Sequence, residues 1–317
     1  MRLFHGTDNA EIARPTVLTL GVFDGLHLGH QRIMQTVVER AKATGAAPTV
    51  ITFEPHPRAV LHPESAPPLL QTFDQKIEAL GVLGIEQTIV IHFDQVFAQI
   101  RAQDFLRDTV VDRLHAKEVY LGRGFAFGHN REGHIDLLRA VSQNLRFSAD
   151  EVPEVRLRGC RISSSRIREH LLEGRVNLAR RMLGRPYGVE GRVTRGAERG
   201  QQLGFPTANL HPHNRVIPLS GVYITATLVD GQWRRSVTNI GTRPTFGDEA
   251  SVSVESFVLD WSGDLYGDVV RVRFLHRLRA EQKFNSIDEL KTQIARDVSR
   301  AKAYFNRRGV RSSLVIT

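Results

Sequence analysis

Four short runs rich in β-branched residues, at 16–21, 48–53, 87–93 and 117–122, are bounded by polar residues or glycine and read as buried strands. The segments between them follow another period. Within 29–43 the apolar residues Ile33, Met34, Val37 and Val38 recur at helical spacing, and within 104–114 so do Phe105, Leu106, Val110 and Leu114. This alternation predicts a parallel sheet covered by helices on both faces, an architecture that receives ligands at the carboxyl ends of its strands.

Two short helical patterns, 165–172 and 177–183, are followed by Gly184, Arg185 and Pro186. That stop signal sets the expected boundary between a domain of residues 1–185 and one of residues 186–317. Beyond it, the strand-like runs 221–229, 252–260 and 269–275 alternate with glycine and proline turns, which predicts an antiparallel barrel. Ser286 and Glu289 form a capping box for a last helix that carries Leu290, Ile294, Val298 and Ala301 on one face.

Composition narrows the class. A chain of 317 residues has room for two domains with cores of their own, and 41% hydrophobic with 24% charged residues fits a soluble globular protein. Cys160 is the single cysteine, which rules out an intramolecular disulfide and favours a reducing compartment. No apolar run approaches the roughly 20 residues of a membrane helix, and the first fifteen residues lack a signal peptide's apolar stretch. The expectation is a cytoplasmic protein without membrane contact.

The net charge of +9 raises the question of an acidic partner. The excess is diffuse, no RNA-binding signature is present and aromatics make up only 7%, so nucleotide phosphates are expected rather than nucleic acid. Arginine far outnumbers lysine; its planar fork suits phosphate, and genomic base composition would produce the same bias.

GVFDGLHLGH (residues 21–30) follows the first strand and opens the first helix. Gly21, Gly25 and Gly29, with Phe23 and Asp24 among them, permit a tight turn and close backbone approach, so phosphate is expected there. His27 and His30 share a face of the first turn, where two imidazoles would hydrogen-bond phosphoryl oxygens and stabilise developing charge. A zinc pair or ordinary surface histidines are the alternatives, and no third ligand follows at zincin or finger spacing. His-x-Gly-His in this setting resembles the signature of the nucleotidyltransferase superfamily, whose members attack the α-phosphate of ATP and expel pyrophosphate.

A second motif of that superfamily grips the triphosphate, and ISSSRIR (residues 162–168) resembles it. Ser163 and Ser164 at a helix start, with Arg166 and Arg168 one turn in, make an anion site; a plain serine cap on a basic helix is the alternative. LGRGFAFG (residues 121–128) lacks the glycine spacing of a dinucleotide fingerprint, and no Gly-Lys-Ser/Thr exists for a Walker loop.

The second half holds a different cluster. In LGFPTANL (residues 203–210), Gly204 and Pro206 rigidify a turn that presents the Thr207 hydroxyl and the Asn209 amide oxygen, hard ligands suited to magnesium. Glu255 lies in an otherwise apolar or small strand, where a carboxylate would accept a proton from an alcohol. A structural turn at 206–209 and an outward-facing Glu255 are the alternatives.

Taken in order, GVFDGLHLGH, TFEPHP (52–57), FGHNREG (127–133), ISSSRIR, LGRPY (183–187), GFPTAN (204–209), NIGTRPT (239–245), GDLYG (263–267) and EQKF (281–284) resemble, over nearly the whole chain, the bacterial bifunctional riboflavin kinase/FMN adenylyltransferase family, the FAD synthetases. The resemblance implies an α/β nucleotidyltransferase domain, Rossmann-like with a parallel sheet, followed by a six-stranded antiparallel β-barrel riboflavin kinase domain with a C-terminal helix. It implies that the second domain phosphorylates riboflavin to FMN and the first joins FMN to AMP, giving FAD, with ATP as co-substrate and magnesium as cofactor.

It further implies that Glu255 is the kinase base. Thr207 and Asn209 would bind metal and phosphate, within a nucleotide loop that includes Gly204, Phe205 and Pro206. In the first domain, His27, His30, Ser164, Arg166 and magnesium would neutralise charge, while Phe53, His56, Pro57, Phe125 and Phe127 would hold the flavin. Flavoprotein apoenzymes are the expected recipients of FAD. Three positions depart from the family pattern: Gly124 replaces a common Asp or Asn, Arg195 a common His, and Gln201 a common Arg. A single-activity nucleotidyltransferase with a structural barrel, or a kinase with impaired adenylylation, are the competing readings.

Overall fold

A computed structural model of the chain describes residues 1–7, 10, 12–195, 205–243 and 251–307. The chain divides into two compact units, Met1–Leu69 with Phe73–Ser163, and Leu70–Thr72 with Ser164–Thr317.

In the first unit, β1 (Arg2–His5), β2 (Thr16–Leu20), β3 (Ala47–Glu54), β4 (Gln87–His92), β5 (Ala116–Gly122) and β6 (Ser148–Val152) form one sheet in the order β1-β4-β3-β2-β5-β6. Every neighbouring pair is parallel. All five residues of β2 are buried, as a strand covered on both faces requires. Alternate side chains feed two cores. Leu18, Leu20, Ile51 and Ile89 pack on one face, while Val17 and Val50 pack on the other with Ile33, Met34 and Val37 of helix α1 (Leu28–Thr44). Each of these side chains contributes about 1.5–3 kcal/mol relative to exposure.

Helices α2 (Pro57–Leu61) and α3 (Phe73–Val82) lie between β3 and β4 in sequence, and α5 (Ile135–Leu145) follows β5. The helix expected over 104–114 is a short α-helical turn, α4 (Ala102–Asp104), that continues as a π-helix over Phe105–Arg113. Its apolar residues Phe105, Leu106 and Val110 are buried as the spacing requires, while the hydrogen-bond ladder is widened. A small hairpin, β7 (Arg156–Leu157) with β8 (Cys160–Arg161), completes this unit.

The long segment of the second unit begins at Ser164 and includes α6 (Ser164–Leu172) and α7 (Val176–Leu183), which the stop signal at 184–186 would assign to the first half. Here α7 packs against the barrel strands β9 (Tyr187–Thr194) and β14 (Val269–Arg279). With β10 (Ala208–Pro212), β11 (Gly221–Val229), β12 (Gln232–Arg243) and β13 (Ser251–Val258) they close a six-stranded antiparallel barrel in the order β10-β13-β12-β11-β14-β9.

The closing helix α8 (Ile287–Arg307) lays Ala301 and Phe305 against Val222, Ile224, Val237 and Leu275. At its start, the Glu289 backbone N–H donates to Ser286 Oγ (3.2 Å), and the Glu289 carboxylate accepts from the Asn285 N–H (3.0 Å), one residue earlier than a standard capping box would place it. No helix among the described residues is long and apolar enough to cross a membrane.

The barrel interior is partly polar. Thr225, Thr227, Ser236, Thr238 and Ser256 are fully buried, and their hydroxyls bond at 2.7–3.0 Å in a closed circuit, Thr225 to Ser236 to Thr227 to Ser256 to Thr238 and back. Five hydroxyls supply five protons for five bonds, so each donates once and accepts once.

Candidate active sites

In the first unit β2 is flanked by β3 on one side and β5 on the other, which makes its carboxyl end the point where strand order reverses. Residues 21–30 occupy that position. Phe23 (φ 53°) and Leu26 (φ 39°) hold left-handed backbone, a cost of about 1 kcal/mol or more each, and both side chains are buried in the core beneath the turn. His27 caps α1: the His30 backbone N–H donates to His27 Nδ1 at 3.3 Å. An accepting Nδ1 carries no proton, so in the neutral ring the N–H is on Nε2.

The His27 and His30 rings stack with centroids 3.6 Å apart, and Phe23 meets His30 edge-on. Gly29 leaves room for this stack: a Cβ there would lie 3.0 Å from the His27 imidazole, which would have to give by a few tenths of an ångström. A Cβ on Gly21 would lie 2.9 Å from the Phe23 ring, and Gly25 takes φ 83°. Asp24 and His27 are both only 6% exposed.

Buried behind the turn is a residue that the sequence does not mark out. Lys76, on α3, is 7% exposed; its ammonium donates to Thr52 Oγ1 (3.3 Å) and lies 4.0 Å from Glu54 Oε2, while Thr52 Oγ1 donates to the Val22 carbonyl at 3.3 Å. Burial holds its pKa below the usual lysine range, and Glu54 and Asp24 act in the opposite direction.

The expected flavin residues fall at the carboxyl ends of β3 and β5. Phe53 and Phe127 are buried members of one core that also holds Phe93 and Phe105, and edge-to-face contacts run from Phe53 through Phe93, Phe97 and Phe105 to Phe127. Phe125, stacked at 6.3 Å on Phe127, is the half-buried end of the row. His56 caps α2 through Nδ1, which accepts from the Arg58 N–H, and Pro57 is the first residue of that helix. Gly124 (φ 73°) is exposed, and its N–H donates to Glu151 Oε1 at 3.2 Å.

The serine and arginine motif straddles the division of the chain: Ser163 ends the first unit, and Ser164 opens α6 in the second. Arg168 is buried in that helix and Arg166 is half-buried.

In the second unit, barrel register brings together residues distant in sequence. Glu255 on β13 is the register partner of Asn209 on β10 and of Asn239 on β12, so the three side chains project from one face. That face is opposite the one that carries Ser256 into the hydroxyl circuit. Thr207 and Asn209 also line a cavity of about 590 Å³ with Arg195, Trp261, Asp264 and Tyr266, a volume in the range of small-ligand sites. The Arg195 guanidinium lies over the Tyr266 ring at 5.0 Å. Gly263 is needed beside Trp261, whose ring would meet a Cβ at 2.4 Å. Phe205 packs edge-on against Phe257, and Pro206 is exposed at the cavity mouth. Gly204, Gln201, and Pro244 and Thr245 at the end of NIGTRPT lie outside the described residues.

Asn209 Nδ2 donates to the Thr207 carbonyl at 3.4 Å. A hydroxyl and an amide oxygen are hard donors that fit magnesium. No group of three His, Cys, Asp or Glu able to hold a metal is present among the described residues.

An FAD synthetase family model matches residues 9–166 and a riboflavin kinase model residues 183–305, together most of the chain. A bifunctional riboflavin kinase/FMN adenylyltransferase of Haemophilus influenzae is 38% identical over 96% of this chain and 100% of its own length. The chain belongs to the bifunctional riboflavin kinase/FMN adenylyltransferase family. Within that family, the Pseudomonas fluorescens relative is likewise 38% identical, over 96% of this chain and 97% of its own. A crystal structure from Streptococcus pneumoniae, described as that of a macrolide-efflux protein, has a TM-score of 0.87 at 29% identity, covering 95% of this chain and 99% of that one.

Proposed function

We propose that this chain makes FAD from riboflavin in two ATP-dependent steps, residues 186–317 phosphorylating riboflavin to FMN and residues 1–185 adenylylating FMN. The observation that carries the kinase assignment is the register of Glu255 between Asn209 and Asn239, which sets a carboxylate beside one member of the Thr207 and Asn209 pair. The terminal ribityl hydroxyl of riboflavin is a poor nucleophile at neutral pH. In this reading Glu255 takes its proton as the oxygen attacks the γ-phosphorus of ATP, and ADP departs. Thr207 and Asn209 would hold magnesium with the nucleotide phosphates, where it supplies charge neutralisation. The cavity they share with Arg195 and Tyr266 is the place for the nucleotide.

Adenylylation needs no protein base, because the FMN phosphate is already anionic. Its oxygen attacks the α-phosphorus of ATP and pyrophosphate leaves. The chain's task is to receive charge, and the Nε2–H of His27, with His30 stacked against it at the switch point of the sheet, suits that task. Ser163, Ser164, Arg166 and Arg168 are the further phosphate ligands in this reading, and Phe53, His56, Pro57, Phe125 and Phe127 the flavin wall, with Phe125 offering the most accessible ring. Cys160, exposed and the single cysteine, supports a cytoplasmic setting, where flavoprotein apoenzymes would take up the FAD.

A second reading, a kinase with slow adenylylation, rests on Gly124, which brings no side chain to the loop after β5. Incubation with riboflavin, ATP and magnesium, followed by chromatographic separation of flavins, tests both. FMN followed by FAD is expected; FMN alone favours the second reading, and neither product overturns both.

A further inference from the structure

The first unit places two carboxylates beside a site that must receive a triphosphate and a phosphomonoester. Asp24 is part of the turn at 21–30, and Glu54 ends β3. Left to themselves they would repel both substrates. The cation that meets them is Lys76, which reaches from α3, an element that contributes no residue to the motifs. Lysine is among the residues least often found buried, and it stays so only when its charge is met. Here the ammonium is 4.0 Å from Glu54 and 3.3 Å from the Thr52 hydroxyl, which in turn bonds the Val22 carbonyl. The Phe73 ring, 5.6 Å away, covers its other side. The charge is therefore fixed in place on a short lead to the phosphate turn itself.

We propose that Lys76 is a positioning residue for adenylyl transfer, a buried cation that offsets the charge of Glu54 and Asp24 so that the turn at 21–30 can accept the phosphates of ATP. This rests on the reading of that turn as the ATP site. With Lys76, Glu54 and Asp24 charged, the group carries one net negative charge; without Lys76 it carries two, one on the buried Asp24, where repulsion is less screened, and one on the half-buried Glu54. The loss acts on binding of an anionic substrate, so it falls on KM for ATP more than on kcat.

The test uses the full-length chain, with the rate of FAD formation from added FMN measured against ATP concentration. Lys76→Met is expected to raise KM for ATP by about tenfold with a smaller change in kcat, and Lys76→Arg to recover most of the loss. Combining Lys76→Met with Glu54→Gln restores the original net charge and returns KM to within about threefold of the parent. A merely structural lysine would not be rescued by removing a carboxylate, so failure of the double variant to recover overturns the proposal, as does an unchanged KM in Lys76→Met. Should the Met variant fail to fold, Glu54→Gln alone decides: with Lys76 no longer offset, KM for ATP falls, and a KM that rises or stays put refutes the idea. Failure of the underlying reading has a different signature, because parent protein and His30→Ala would then form FAD equally well.

Discussion

Glu255 faces Asn209 across one neighbouring strand and Asn239 across the other, so the carboxylate sits between two amides on one face of the barrel. Nothing in the linear spacing of 209, 239 and 255 sets this relation; closure of the barrel does. Glu255→Gln keeps the shape and removes the carboxylate proposed as the base. Riboflavin phosphorylation should fall by about 10²-fold or more, while FAD formation from added FMN continues, both followed by flavin chromatography. Equal loss of the two activities would contradict the division of labour.

His30→Ala should do the reverse. If His30 donates to developing phosphate charge as proposed, its removal is worth about 10²–10³ in rate, so FAD formation collapses and FMN formation persists. FAD production at the parent rate would show that the histidine pair does not touch the reacting phosphate.

Gly29→Ala separates geometry from stability. Alanine favours the helix by about 1 kcal/mol over glycine, yet its Cβ would press on the His27 ring from 3.0 Å. The variant should melt no lower than the parent while forming FAD several-fold more slowly; a fully active Gly29→Ala would mean that the ring stack is not needed.

Acid sensitivity is expected at Glu118, a buried carboxylate on β5. Its hydrogen bonds from Arg40, and then the Tyr120 hydroxyl, hold its pKa below the usual range against the opposing effect of burial. A carboxyl whose folded pKa is lower than its unfolded pKa contributes stability above the unfolded value and loses it as pH falls through the folded one. Thermal melts from pH 7 downward should therefore show the parent losing more stability on acidification than Glu118→Gln.

The hydroxyl circuit offers a test of the barrel alone. Thr238→Val leaves Thr225 and Ser256 each short of a partner in a buried setting, a loss of about 1–3 kcal/mol. Thermal inactivation of riboflavin phosphorylation should shift to lower temperature while that of FAD formation stays in place. Unchanged kinase inactivation would mean that the ring relaxes or admits water.

The two units were legible in the chain to different degrees. The central strands β2 to β5 appear as apolar runs because parallel strands are buried on both faces, and the turn at 21–30 is a local motif whose glycines and histidines stay together. The outer strands β1 and β6 are largely exposed, with the sequences RLFH and SADEV, and have no such run to display. In the barrel, the usual alternation of apolar inward and polar outward residues would turn Thr225, Ser236 and Ser256 to solvent, whereas they fill the interior by bonding to one another. Lys76 left no trace either, since a buried cation is defined by the carboxylates it meets and these lie more than twenty residues away in sequence.

The chain has two tryptophans, Trp233 and Trp261, and both belong to the second unit. Trp261 lines the cavity beside Thr207 and Asn209, and Trp233 lies beneath the Arg273 guanidinium on the barrel. Indole emission from this protein therefore watches the barrel alone: a nucleotide entering its cavity would change the signal directly, while the α/β half would remain dark until a flavin brought its own absorbance and fluorescence.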